Sequence, residues 1–426
     1  MTTFVSTSAT AEWLARDEAA LAGVLSRTFG IVAVEGRGAW LTDVEGRRFL
    51  DLTMGIAVNN IGHCHPRVVA AAEQQLRRLM HTSVTVHQQR NVELAERLAQ
   101  LCPFLDEAQV FFCNTGAEAV EGAIKLARRT TGRPGVIAFR GGFHGRTLGA
   151  VSLTTAKAKY REGYEPLVGG ITIAPYAYPL HHGGAAAATD AALAGLDEIL
   201  ALQAPPSSVA AMVVEPVLGE GGYVPPPVEW LHGLRERCER HGIPLVFDEV
   251  QTGVGRTGRP FAAETFGVRP DVVLFAKGVA SGLPLGGLIA PRQLMAQWPT
   301  GTHGTTFGGN PVSCAAALAT LDVLEDDDLY HRCRVVGSRL FAALRGHAAG
   351  RASVLEVRGI GMMIGIELDS AATAAAVQRQ CFDDGVLVLT CGPGDNVLRV
   401  IPPLNLTDGE AEQASAILGR ALAALP

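Results

Sequence analysis

Between residues 66 and 311, short and wholly apolar runs take turns with longer stretches in which Ala and Leu recur at helical spacing. Runs apolar on both faces read as strands covered from both sides, and their alternation with helices predicts βαβ units around a parallel sheet. Before them, residues 39–51 alternate as a hairpin that turns at Val44-Glu45-Gly46-Arg47. Residues 176–188, rich in His, Gly and Ala, read as a loop. After Pro311 the pattern predicts a helix over 312–344, strands at 353–357, 363–368, 386–390 and 397–401, and a closing helix, which together make an α+β unit. The N-terminal stretch holds Glu12, Asp17 and Glu18 and lacks an apolar core, so it reads as a helical arm. The expected division is an arm over 1–65, a large domain over 66–311 and a small domain over 312–426.

Two of the apolar runs end on charge. Pro244-Leu245-Val246-Phe247-Asp248 delivers an acid, and Asp271-Val272-Val273-Leu274-Phe275-Ala276-Lys277 delivers a lysine. A lysine at the end of a hydrophobic strand is poorly solvated, so its amine loses a proton more readily and can attack a carbonyl. Pyridoxal phosphate chemistry needs such an amine, together with a carboxylate against the pyridine nitrogen. Taken alone, the pair also reads as an ordinary strand-end acid and a lysine whose stem lies along apolar surface.

The neighbouring loops favour the chemical reading. The run 108–113 leads into Asn114-Thr115-Gly116-Ala117-Glu118 and an Ala-rich helical pattern over 119–129. Thr115 with Glu118 predicts a capping box, and the turn at Gly116 leaves backbone N–H groups free at a helix N-terminus, a site for phosphate. The run 136–139 leads into Arg140-Gly141-Gly142-Phe143-His144-Gly145-Arg146. That loop sets a ring, an imidazole and a guanidinium between glycines that let the backbone approach a ligand. Gly253-Val254-Gly255-Arg256-Thr257-Gly258 has the GxGxxG spacing of a dinucleotide site, but Pro260 stands where the required helix would begin.

Composition narrows the partners. The chain has 426 residues, 48% of them apolar, which is enough for a large core. A net charge of −6 with no basic run argues against nucleic acid and anionic membranes, and no apolar stretch reaches transmembrane length. The eight cysteines form no CxxC pair, and His63-Cys64-His65 is too closely spaced to hold zinc unaided. No metal is expected, and the thiols read as reduced and cytoplasmic.

In order along the chain, Asn114-Thr115-Gly116-Ala117-Glu118-Ala119-Val120-Glu121, Phe143-His144-Gly145-Arg146, Glu215-Pro216-Val217-Leu218-Gly219-Glu220-Gly221-Gly222, Phe247-Asp248-Glu249-Val250-Gln251-Thr252-Gly253, Gly255-Arg256-Thr257-Gly258, Phe275-Ala276-Lys277-Gly278 and Thr305-Thr306-Phe307-Gly308-Gly309-Asn310-Pro311 resemble the class III aminotransferases. The likeness runs from about Gly30 to the end of the chain. Within the class it is greatest to the 4-aminobutyrate aminotransferases, on Gly55-Ile56-Ala57-Val58, Gly62-His63-Cys64-His65-Pro66 and Cys391-Gly392-Pro393-Gly394-Asp395-Asn396-Val397-Leu398-Arg399.

The resemblance implies an α/β protein of the pyridoxal-phosphate transferase fold type I. Its large domain would carry a mostly parallel seven-stranded sheet, the α+β domain would be small, and the arm would pack with the small domain. It implies pyridoxal 5′-phosphate in Schiff-base linkage to Lys277, with Asp248 on the ring nitrogen and Gln251 on the phenolic oxygen. Phe143 and Val250 would lie on the two ring faces, though either also reads as core. Thr115, Gly116 and Ala117 would serve the phosphate, joined by Thr306 of a neighbouring subunit in a homodimer or dimer of dimers. Thr306 equally reads as a residue of local turns. His144 is expected to support its loop, and Glu215 to sit beside the cofactor and hold Arg146.

For substrates, the resemblance implies Arg146 on a distal carboxylate, Arg399 on an α-carboxylate, Glu220 as the partner of Arg399 when no α-carboxylate is present, and Ile56 as an apolar wall. The implied reaction passes an ω-amine, with 4-aminobutyrate the leading donor, to 2-oxoglutarate by a ping-pong route, giving succinate semialdehyde and glutamate. Two alternatives stand beside it. One is another ω-amino-acid, lysine, ornithine or amine transaminase, with 2-oxoglutarate or pyruvate as acceptor, and the other is a racemase or epimerase on the same scaffold.

Overall fold

The structure is a computed structural model and describes residues 8–425. The N-terminal helix Ser8–Ala20 leads to β1 (Ala33–Arg37), β2 (Trp40–Asp43) and β3 (Arg48–Asp51), which pair antiparallel. The expected hairpin is present. Asp43 closes its turn, its carboxylate accepting from the N–H groups of Glu45 and Arg47 at 3.0 and 2.8 Å.

Seven strands form the main sheet: β4 (Ala108–Cys113), β5 (Gly135–Phe139), β6 (Ile171–Ala174), β7 (Val209–Val214), β8 (Leu245–Asp248), β9 (Val272–Phe275) and β10 (Gly286–Pro291). Their order is β4-β10-β9-β8-β7-β5-β6, with only β10 antiparallel to its neighbours. Every residue of β7, β8 and β9 is buried, which is why these strands read as unbroken apolar runs. Because β4 and β9 both run opposite to β10, the C-terminal ends of β4, β5, β7, β8 and β9 all meet one edge of the sheet. Loops after such ends are where ligands bind in open α/β sheets.

The C-terminal part contributes β11 (Val354–Ile360), β12 (Met363–Leu368), β13 (Val386–Leu387), β14 (Leu389–Cys391) and β15 (Val397–Val400). Four of these make an antiparallel sheet ordered β11-β12-β15-β14, while β13 pairs in parallel with β3. The apolar run 386–390 therefore splits between two sheets. The arm is tied to this region further by Trp40 Nε1 donating to Glu410 at 2.7 Å and by Phe29 and Phe49 stacking on Phe382 at 5.4 and 5.3 Å.

The helix expected over 312–344 is two, Pro311–Asp326 and Leu329–Ala348, broken where Asp328 adopts φ 48°. Four successive acids, Glu325 to Asp328, stand there, and negative charge is disfavoured at the C-terminal end of a helix. The first of these helices packs into the core of the main sheet through Cys314, Leu321 and Leu324. The stretch read as a loop over 176–188 is also more regular, since a helix begins at Ala185, just past Gly183-Gly184. The GxGxxG stretch opens no helix. Arg256 within it is fully buried and donates to Met362 O, Pro402 O and Asn60 Oδ1 at 3.1, 2.5 and 2.7 Å. No described helix is long and apolar enough to cross a membrane.

Candidate active site

At the carboxyl edge of the main sheet lies a cavity of about 300 Å³. Asp248, the last residue of β8, lines it, and so does Lys277, two residues beyond β9 on a 3-10 turn that it enters at φ 46°. Glu215 follows β7 directly. The loop after β5 brings Phe143, His144 and Gly145, the start of helix Gly116–Thr131 brings Thr115, Gly116 and Ala117, and the turn after β8 brings Val250 and Gln251. Residues spread over some 160 positions thus share one small volume because their strands end on the same edge. A larger groove of about 840 Å³, bordered by Phe111, Trp298 and His303, lies elsewhere and contains none of them.

Asp248 Oδ2 is hydrogen bonded to His144 Nδ1 at 2.7 Å, with both side chains buried. Burial alone would lower the imidazole pKa, but the hydrogen bond and charge of Asp248, with the charge of Glu215, hold it above its ordinary value. His144 is therefore the positioning partner of Asp248, more than a support for its own loop. Sequence reading missed this because the two residues are 104 positions apart.

The suggested pairing of Glu215 with Arg146 does not form. Glu215 Oε2 accepts from Phe143 N–H at 2.9 Å and Oε1 from Gly219 N–H at 3.2 Å, while Arg146 lies 4.1 Å over the ring of Tyr160. Glu215 is committed to amides within its own wall of the cavity. Burial pushes its carboxyl up to about 7, with His144 opposing the rise and Asp248 adding to it. Burial likewise draws the Lys277 amine below its ordinary value, against the pull of Glu215 and Asp248.

The cavity fits the implied cofactor. Thr115 caps its helix through a complete capping box with Glu118. The N–H groups of the following turn have no partners within the helix, as at any helix N-terminus. A Cβ on Gly116 would stand 2.9 Å from Val250, and one on Gly145 would stand 2.6 Å from Ala117, so only glycine allows this cradle. Gln251 Oε1 and His144 Nε2 are buried without partners. Buried polar atoms rarely stay unpaired, so a ligand with polar edges belongs here.

Beyond the cavity stands a charged group. Arg399 on β15 donates to Glu220 Oε2 at 2.8 Å, and Tyr160 Oη donates to Glu220 Oε1 at 2.8 Å. Lys157 reaches the same oxygen at 3.3 Å and also pairs with Asp395. Tyr160 and Lys157 are the neighbours of Glu220 that sequence reading missed, since Lys157-Ala158-Lys159-Tyr160 looks like a solvated turn. Arg146 makes no ion pair among the described residues. Ile56 is 40% exposed, and Val58 rather than Ile56 borders the cavity. Thr306 is exposed on a loop beside the exposed Phe307 and lies outside the cavity of its own chain.

Comparison with known proteins agrees with this geometry. The 5-aminovalerate aminotransferase DavT of Pseudomonas putida is 41% identical over 90% of this chain and 91% of its own length. The 4-aminobutyrate aminotransferase GabT of Escherichia coli K12 is 41% identical over 89% of this chain and 90% of its own. Others at similar identity are acetylornithine aminotransferases. Among solved structures, a PLP-bound amine transaminase from an uncultivated Pseudomonas species superposes with a TM-score of 0.87 at 32% identity, covering 96% of this chain and 97% of that one. With the family model described as Aminotransferase class-III matching residues 22–422, the chain belongs to the class III aminotransferases, enzymes that use pyridoxal phosphate to pass an amino group between small amino and oxo substrates.

Proposed function

We propose that the enzyme transfers the ω-amine of an ω-amino acid, 4-aminobutyrate first, to 2-oxoglutarate, releasing the semialdehyde and glutamate. The observation that carries this reading is the different state of the two arginines. Arg399 is paired with Glu220, whereas Arg146 stands over aromatic rings with no ion pair among the described residues. A donor with a single distal carboxylate satisfies Arg146 and leaves the Arg399–Glu220 pair undisturbed. An α-carboxylate must take Arg399 from Glu220, and a guanidinium binds either carboxylate through the same planar fork. Ile56 would give the donor's methylenes an apolar wall at the mouth.

Pyridoxal phosphate, when bound, supplies an electron-withdrawing ring that stabilises negative charge on the substrate carbon. Lys277 would anchor it covalently. Asp248, fixed by His144, would keep the ring nitrogen protonated, and Gln251 would turn its amide N–H toward the phenolic oxygen. Phe143 and Val250 would confine the ring, while the N–H groups of Gly116 and Ala117 would take the phosphate at a helix capped by Thr115. Lys277 Nζ, easily deprotonated because it is buried, takes the proton from the amine-bearing carbon of the donor and returns a proton in the second half of the cycle.

We further propose a homodimer in which Thr306 completes the phosphate site of the neighbour. The exposed apolar side chains around that loop, Met80, Val84, Val86 and Phe307 at 57–79% exposure, support a covered face there. Eight free thiols support a cytoplasmic location. A panel of 4-aminobutyrate, 5-aminovalerate, N-acetylornithine and ornithine against 2-oxoglutarate and pyruvate tests the reading. The highest kcat/KM should fall to 4-aminobutyrate with 2-oxoglutarate, and a preference for a donor bearing an α-carboxylate would overturn it.

A further inference from the structure

A second carboxylate competes with Glu220 for the same ammonium. The Lys157 side chain is only 6% exposed and lies between Glu220 and Asp395. Asp395 is 44% exposed, adopts φ 53° after Gly392-Pro393-Gly394, and donates its own N–H to Gly392 O at 3.1 Å. Gly392 N–H donates to Glu220 O at 2.9 Å, so this loop is tied to the backbone of Glu220. Lys159 comes within 3.9 Å of the other Asp395 oxygen. Burial would raise the Glu220 carboxyl, but Arg399, then Lys157 and Tyr160, hold it below the usual carboxylate range.

We propose that Asp395 is a specificity-determining residue that biases the pocket against substrates carrying two carboxylates. The inference rests on the ω-amino-acid reading above. While Arg399 holds Glu220, competition for Lys157 matters little. Once an α-carboxylate takes Arg399, Glu220 keeps only Tyr160 and Lys157, and Lys157 must then answer two acids. Neutralising Asp395 gives Lys157 wholly to Glu220 and eases the release of Arg399. A substrate with one carboxylate never makes that demand. Because Asp395 is partly exposed, salt screens its influence.

The test is Asp395→Asn in the holoenzyme, using glutarate as an unreactive dicarboxylate and butyrate as its monocarboxylate counterpart. Dissociation constants are read by calorimetry. Glutarate should bind about twofold to fivefold more tightly, the span of a partly exposed ion pair, while butyrate should change by less than about 1.5-fold. The gain should shrink at about 1 M salt, where the screening length is about 3 Å, without being abolished, since the buried Lys157 contacts Asp395 directly. Asp395→Glu should restore the original preference, which separates charge from loop damage. Equal changes for both probes, weaker glutarate binding or a salt-independent gain would overturn the inference. Failure of the underlying reading would show instead in the unaltered enzyme, as indifference to both probes and no transfer from an ω-amino acid.

Discussion

Arg399→Ala separates the two half-reactions through a single guanidinium. In the donor half, Arg399 would serve only as partner to Glu220, which it meets at 2.8 Å. Glu220 keeps Tyr160 at 2.8 Å and Lys157 at 3.3 Å when that partner is lost, so its charge is not left bare. In the acceptor half, Arg399 would grip the α-carboxylate itself. Losing one charge-assisted contact of that kind costs about 1.5–3 kcal/mol, which is about tenfold to over a hundredfold. The donor half should lose far less, and Arg146→Ala should damage both halves. Arg399→Lys keeps the charge without the fork and should fall between Ala and the unaltered enzyme. Cofactor absorbance in single-turnover mixing follows each half separately. Equal damage to both halves by Arg399→Ala would mean that the buried guanidinium only holds β15 in place, and the dual-substrate reasoning would fail.

Lys277→Ala should abolish turnover and leave the cofactor bound without a covalent link; borohydride-fixed cofactor on another lysine would refute the assignment. Because burial lowers the pKa of Lys277, covalent uptake of pyridoxal phosphate by the cofactor-free protein should rise with pH and level off below 10.5, the ordinary lysine value. A midpoint at or above that value would contradict the burial reasoning. If Thr306 serves the neighbour, activity should fall on dilution in step with dissociation seen by sedimentation, and a fully active monomer would exclude the shared site.

Much of this site was legible because parallel strands concentrate information at their ends. Asp248, Lys277 and Glu215 each follow a buried apolar run, and Thr115-Gly116 opens a helix whose cap reads directly from Thr and Glu three residues apart. What stayed hidden is what depends on packing between distant segments. Nothing near His144 announces Asp248, and nothing in Lys157-Ala158-Lys159-Tyr160 announces that one lysine of the two is buried against Glu220. The split of 386–390 is equally long-range, since β13 and β14 are both apolar and only the positions of β3 and β15 decide which sheet takes each. Arg256 shows the converse. Its loop carries a ligand-binding spacing, yet both terminal nitrogens of its guanidinium are spent on backbone carbonyls and Asn60, and burial brings its pKa down to about 10.

The His63-Cys64-His65 cluster, too closely spaced to hold zinc unaided, has a use that connects the arm to the active site. Residues 54–57 form a left-handed turn, with φ of 47°, 62°, 65° and 62°, and three of the four are not glycine. Each such residue costs about 1–2 kcal/mol, so the turn must be held by its surroundings. Asp51 at the end of β3 does the holding. Its Oδ1 accepts from Thr53 and Met54 N–H at 2.8 and 3.2 Å, and its Oδ2 meets His63 Nε2 at 2.8 Å. Asn59 steadies the other imidazole nitrogen at 3.3 Å, while Met54 and Ala57 are sealed in the core. The outcome of this strain is placement: Val58 faces the cofactor cavity and Ile56 is left exposed. Strain is retained where surrounding structure over-determines it, and here the over-determining contacts run through an aspartate–histidine pair. His63 therefore belongs to the scaffold of the turn that sets Val58 against the cavity, and the short spacing of His63-Cys64-His65 reflects a tight turn after Gly62.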